Sequence, residues 1–187
     1  MKIIDLLGRK RQFRRLLEDS QPRLQRMARA WCGDRELAQD LVQEALVRAL
    51  QGEEQLRALE KFDAWVFKIL SNCWYQHLRQ LRSTVEFDED RYPEERSSLE
   101  VSQDRADMIE RLRYEVGRLP AIQRQAITLV DLEEFSYAET AQILDIPIGT
   151  VMSRLHRARE KLCRAMNDVR QEQAAASDAP RVMRRMK

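Results

Sequence analysis

Six side chains in the last third of the sequence have the types and spacing to do chemistry on a polyanion: Thr150, Ser153, Arg154, His156, Arg157 and Lys161. On a helix they share one face. The backbone N–H groups near Gly149 and Thr150 would open that helix, where they can meet a phosphate. Arginine reads guanine through two parallel hydrogen bonds, while neighbouring cations neutralise phosphates and fix the register. The chemistry implied is recognition of duplex DNA in the major groove. A solvated surface helix is the plainer reading of the cations alone, so the surrounding residues decide.

Those residues are specific. Val151, Leu155, Ala158 and Leu162 recur at four, three and four, a stripe that buries the other side of the helix. Upstream, Ser136-Tyr137-Ala138-Glu139 has the form of a capping box opening a short helix to Leu144. Asp145-Ile146-Pro147 supplies a turn, and Ala141 the small side chain that a close helix crossing needs. The stretch from about Tyr137 to Lys161 therefore reads as a helix-turn-helix.

Other chemistries find less support. Cys73 and His77 lie one helical turn apart, a ligand spacing for zinc. Cys73 falls on an apolar stripe, however, and no second ligand pair follows. His156 and Cys163 lie on different faces. Neither a Gly-rich phosphate loop nor a nucleophile motif is present, so we expect no catalysis by the chain itself, no metal and no cofactor. Three widely separated cysteines, Cys32, Cys73 and Cys163, argue against a disulfide framework and for a reducing cytoplasm. No apolar run approaches the roughly 18–20 residues that span a bilayer, and the N-terminal residues are too soon charged for a signal peptide. The expectation is a soluble cytoplasmic protein without membrane insertion.

The elements that must position these residues are helical. Charged residues make up 34% of the 187-residue chain, with only 5 Gly and 5 Pro, which favours an all-α protein. Residues 1–82 and 107–187 are net basic and 83–106 net acidic, so two basic halves flank an acidic bridge. Phe13, Leu16 and Leu17 make one amphipathic face, and Leu24, Met27, Ala28 and Trp31 a second. Leu37, Leu41, Ala45 and Leu46 make a third, with Asp34 as N-cap. After a polar interruption near Gln51–Gln55, a long helix over Phe62–Arg82 presents Phe62, Trp65, Val66, Ile69, Cys73 and Leu78 to a core. The second half reads as helices from Met108 to Gly117, Ala121 to Leu132, Ser136 to Leu144 and Ile148 to Met166. The fold class expected is two small helical domains joined by a flexible acidic linker: 1–82 a helix bundle, 83–106 the linker, 107–170 the helix-turn-helix bundle, and 171–187 a disordered tail.

Several stretches in order resemble the extracytoplasmic-function (ECF) group of bacterial sigma-70 sigma factors. They are Asp40-Leu41-Val42-Gln43-Glu44, Arg48-Ala49-Leu50, Phe62-Asp63-Ala64-Trp65-Val66-Phe67-Lys68-Ile69 and His77-Leu78-Arg79 in the first half. In the second they are Leu119-Pro120, Ser136 to Ala141, Ile148 to Leu155, and Arg157 to Leu162. The resemblance covers most of residues 20–83 and 107–165. It implies a region 2-like first domain that docks on core RNA polymerase and captures the melted −10 element, and a region 4-like second domain on the −35 element.

By that resemblance, Asp40, Gln43 and Glu44 would contact the largest polymerase subunit, with the second-largest also a partner. Lys68 and Arg79 would hold phosphates of the −10 strand, Asn72 would read a flipped base, and Trp74 or Tyr75 would stack on one. Trp65 is assigned to the core. Thr150, Ser153, Arg154, His156, Arg157 and Lys161 would face the −35 duplex. An anti-sigma factor is an implied partner beside promoter DNA. Met152, Gln39 and Asp145 depart from the family pattern. The competing reading is a stand-alone helix-turn-helix regulator that never docks on polymerase, which leaves Asp40–Glu44 and Asn72 without a role.

Overall fold

The computed structural model describes residues 2–82 and 105–177, with side chains described over 8–81 and 108–167. Every regular element among the described residues is helical, in two regions: α1–α3 and α4–α7. Of the linker expected at 83–106, residues 83–104 lie outside the described residues, as do 178–187 of the tail.

Helix α1 spans Lys2–Cys32 as one element, running through Pro22. The sequence predicts two separate faces here, and the difference has a physical cause. Proline removes an intrahelical hydrogen bond and costs about 3 kcal/mol inside a helix. Yet Phe13, Leu17, Leu24, Met27, Ala28 and Trp31 form a single buried stripe across it. Each large side chain so buried contributes roughly 1.5–3 kcal/mol, so the stripe holds the helix together. Gly33, at φ +75°, ends it in the left-handed conformation that relieves a helix C-terminus. Asp34 then caps α2 (Arg35–Gln51), accepting from the Leu37 amide at 2.8 Å.

Two 3-10 turns, Glu53–Gln55 and Leu59–Lys61, lead into α3 (Phe62–Arg82). Its buried surface is wider than the expected stripe. Phe67, Leu70 and Trp74 are fully buried beside Phe62, Val66 and Cys73, because α3 is packed on two sides. It rests on α1 and α2, and also on α6 of the second region.

In that second region α4 covers Arg105–Gly117, α5 Ala121–Ile127, α6 Tyr137–Leu144 and α7 Ile148–Ser177. Helix α5 ends in a π turn over Thr128–Leu132. Helix α7 continues past Met166, where the sequence pattern placed its end. One hydrophobic cluster runs through both regions. Arg124, 4% exposed, ties them: it donates to the Trp31 carbonyl at the end of α1 (2.9 Å), and to the carbonyls of Leu119 and Gly117 after and at the end of α4. Carbonyl ends of helices carry partial negative charge, so a cation there is stabilised even when buried.

Candidate nucleic-acid interface

The helix-turn-helix forms from the residues that predict it. The Ser136 hydroxyl accepts from the Glu139 amide (3.2 Å), and the Glu139 carboxylate accepts from the Ser136 amide (2.9 Å) and hydroxyl (2.6 Å). These bonds hold the Glu139 pKa below its ordinary value. Asp145 closes α6 in the left-handed conformation at φ 55°, one that favours Gly and that Asp tolerates. Val151, Leu155 and Ala158 are buried on α7 as expected. Arg159 is taken up within the unit, pairing with Asp131 at 2.5 and 3.1 Å and meeting Tyr137 at 3.5 Å. Those partners hold its guanidinium more firmly protonated than usual.

On the outer face Ser153, His156, Arg157 and Lys161 are exposed and Thr150 is half-buried. Met152 lies among them, 53% exposed. Ser153 donates back to the Thr150 carbonyl at 3.0 Å, which orders the first turn. Arg154 is the exception. It is half-buried and meets Tyr75 of α3, whose phenol burial pushes up in pKa while Arg154 pulls it back.

On α2, Asp40, Gln43 and Glu44 are exposed while Leu41, Val42 and Ala45 pack inward. Glu44 pairs with Arg48 at 2.6 Å, and Arg48 donates to Gln76 of α3 at 2.7 Å. Val47 and Leu50 continue the same helix outward, about half exposed.

Lys68, Asn72, Tyr75 and Arg79 fall on one stripe of α3 at spacings of four, three and four. Asn72 opens into a cavity of about 290 Å³ lined by Arg48, Gln51, Gly52, Gln55, Trp65 and Ile69. A side chain at Gly52 would come within 3.1 Å of the Arg48 carbonyl and 3.5 Å of the Trp65 ring, so Gly52 keeps the floor of this cavity low. By spacing alone Gln51 and Gln55 read as a polar interruption, although the resemblance assigns the loop before Phe62 to −10 capture; nothing in their spacing shows that the chain folds back to Asn72. Trp65 is both wall and core: it lines the cavity and packs edge-on to Phe13 at 6.0 Å. Trp74 corrects the sequence reading. It is fully buried and stacked on His77 at 5.9 Å, so it offers no face to a base.

The structure divides the stripe. Asn72 and Arg79 are exposed. Lys68 instead pairs with Asp145 of the helix-turn-helix at 3.6 Å, and Tyr75 meets Arg154.

Cys73, beside Asn72, has its thiol pushed up to about 11 by burial. Among the described residues no group of three or more His, Cys, Asp or Glu is placed to hold a metal, and no helix is long and apolar enough to cross a membrane.

Comparison with known proteins gives this geometry a family. Residues 16–84 match the model of sigma-70 region 2, and residues 109–162 that of sigma-70 region 4. The ECF RNA polymerase sigma factor EcfG of Rhodopseudomonas palustris is 36% identical over 141 residues, covering 75% of this chain and 77% of that protein. The ECF sigma factor SigM of Mycobacterium tuberculosis is 32% identical over 161 residues, covering 85% of this chain and 79% of that one. Among solved structures, the sigma factor RpoE of Bartonella quintana, in complex with the anti-sigma factor NepR, superposes with a TM-score of 0.70. It is 28% identical, covering 83% of this chain and 97% of that one. With both sigma regions matched in order on an all-α frame, this chain belongs to the ECF group of sigma-70 RNA polymerase sigma factors.

Proposed function

We propose that this sigma factor divides promoter recognition between its regions at the residues described above. Residues 1–82 dock on core polymerase through Asp40, Gln43 and Glu44 and open the −10 element through the α3 stripe. Residues 107–170 bind the −35 duplex through Thr150, Ser153, Arg154, His156, Arg157 and Lys161, with 83–106 as the tether. The work is binding rather than catalysis and belongs in the cytoplasm, where core polymerase and promoter DNA are.

The cavity at Asn72 carries the reading of the −10 end. Opening a duplex without a nucleotide cofactor requires binding energy to trap unstacked bases, at a few kcal/mol each. Amide side chains from Asn72, Gln51 and Gln55 offer donors and acceptors for a base edge, Trp65 an aromatic wall, and Arg48 a cation. That set matches what single-strand capture uses. Asn72→Ala is expected to reduce permanganate reactivity of the −10 thymines in the open complex, with −35 duplex binding unchanged. Undiminished melting would remove Asn72 from this role.

The similar sigma factor of Bartonella quintana was solved with an anti-sigma factor bound. We assign this chain an anti-sigma partner of the same kind, which would compete with polymerase for the two regions.

A further inference from the structure

We infer that Arg9 and Phe13 on α1 clamp the loop before α3 and so set which base the Asn72 cavity selects, although neither is among the residues that line it. The inference rests on the −10 reading proposed above and adds two positioning residues to that site.

The loop has little regular structure of its own to hold it. Gly52 closes α2, and the two 3-10 turns that follow are each secured within themselves. The Gln55 amide donates to the Gly52 carbonyl at 2.9 Å, Leu56 to Glu53 at 3.2 Å and Lys61 to Ala58 at 3.2 Å. Short 3-10 pieces have poor hydrogen-bond geometry, and none of these bonds spans the joint between the two turns. Arg9 reaches that joint from α1. Its Nη2 donates to the Leu56 carbonyl and comes within 3.5 Å of the Arg57 carbonyl, 47 and 48 residues along the chain. A charged donor makes a stronger hydrogen bond than a neutral one. The Leu56 side chain, 3% exposed, seats the same joint on the core of the first region.

Phe13 follows Arg9 by one helical turn and so lies on the same face of α1. Its ring meets Phe62 edge-on at 5.7 Å and Trp65 at 6.0 Å, and those two rings are 6.3 Å apart. Trp65 is the aromatic wall of the cavity, and Gln55, beside Leu56, supplies one of its amides. One face of α1 therefore holds both the loop that carries Gln55 and the ring that forms the wall. Phe13 is buried and belongs to the core whatever the site does. Arg9 is exposed, so its bonds to a distant loop order that loop without serving the core, which makes it the residue to test. A site discriminates between bases only while its polar groups are held to within roughly 0.5 Å. Freed at Leu56, the loop would let Gln55 meet different bases about equally well.

The test uses the full chain with core polymerase on promoters randomised at the −10 element, with the transcribed templates counted by sequencing. Wild type is expected to favour one base at the position the cavity reads, identified as the position where Asn72→Ala loses preference. Arg9→Ala should lower that preference several-fold, with core affinity, −35 duplex binding and the thermal midpoint close to wild type. Arg9→Lys, which keeps a charged donor without the planar fork, should recover part of it. Arg14→Ala removes the same charge from another exposed position of α1 and should keep the wild-type preference. Undiminished preference in Arg9→Ala would overturn the clamp. So would an equal fall with Arg14→Ala, or transcription lost alike for all bases, since either marks a phosphate contact instead. If Arg9→Ala lowers the thermal midpoint, Arg9→Gln is read in its place, and wild-type preference there overturns the clamp as well. If Asn72→Ala changes no preference at any position, the −10 reading fails and the clamp with it; if Asn72→Ala alone changes it, only the clamp fails.

Discussion

Arg157 sits on the exposed face of α7, and among the described residues no carboxylate holds it inward, in contrast to Arg159 on Asp131 and Arg154 at Tyr75. A cation free to meet a phosphate or base contributes to affinity through released counterions. Arg157→Ala should weaken binding to a −35 duplex and reduce the salt slope by about 1, while affinity for core polymerase is unchanged. Filter binding across a salt series checks this. Glu44 is the counterpart on α2. Its pair with Arg48 is solvent-exposed, so Glu44→Gln should change stability by less than about 0.5 kcal/mol. If Glu44 docks on polymerase, the same substitution weakens core binding several-fold by titration, and an unchanged affinity would contradict that role. At this scale the sequence was most informative where one helix decides a residue's environment. The period of α7 alone separates Val151, Leu155 and Ala158 from His156 and Arg157. It was least informative at Trp74, whose burial depends on how α3 is packed, which no local period records.

Elements behave as their caps and stripes dictate. The Ser136–Glu139 box opens α6, and loss of such a cap costs roughly 0.5–2 kcal/mol. Ser136→Ala should therefore lower the thermal midpoint at neutral pH. Folding depresses the Glu139 pKa below its ordinary 4.5. The carboxylate's stabilising contribution is thus complete above that pH and is lost as pH falls through the lower folded value. The difference between Ser136→Ala and wild type should narrow in acid, as melts from neutral pH downward would show. Leu155, 2% exposed at the centre of the α7 stripe, should cost about 2–5 kcal/mol on change to Ala, enough to melt the helix-turn-helix. Helix α1 illustrates what element-level reading missed. The sequence pattern reads as two separate faces, Phe13–Leu17 and Leu24–Trp31, whereas the register of apolar residues on either side of Pro22 keeps a single stripe. The loop before α3, which the family resemblance assigns to −10 capture together with that helix, has no period of its own, so only the fold shows Gln51 and Gln55 opposite Asn72.

For the molecule as a whole, the all-α class and the two-region plan were legible from composition, from the acidic stretch between basic halves and from the ordered motifs. Their juxtaposition was not. Arg23, Asp63 and Glu133 are far apart in sequence, and only Asp63 falls in a stretch that resembles the family, yet together they join the regions. Long-range pairs of this kind leave no local periodicity, so only the folded chain reveals them. The central claim is that this chain directs core polymerase to start sites by reading and opening promoters. The most direct measurement is run-off transcription by core polymerase on a library of genomic fragments, with and without the chain, using wild type and Asn72→Ala. The account predicts a set of transcripts that depends on wild-type protein and is depleted with Asn72→Ala. An identical transcript set with and without the chain would contradict it.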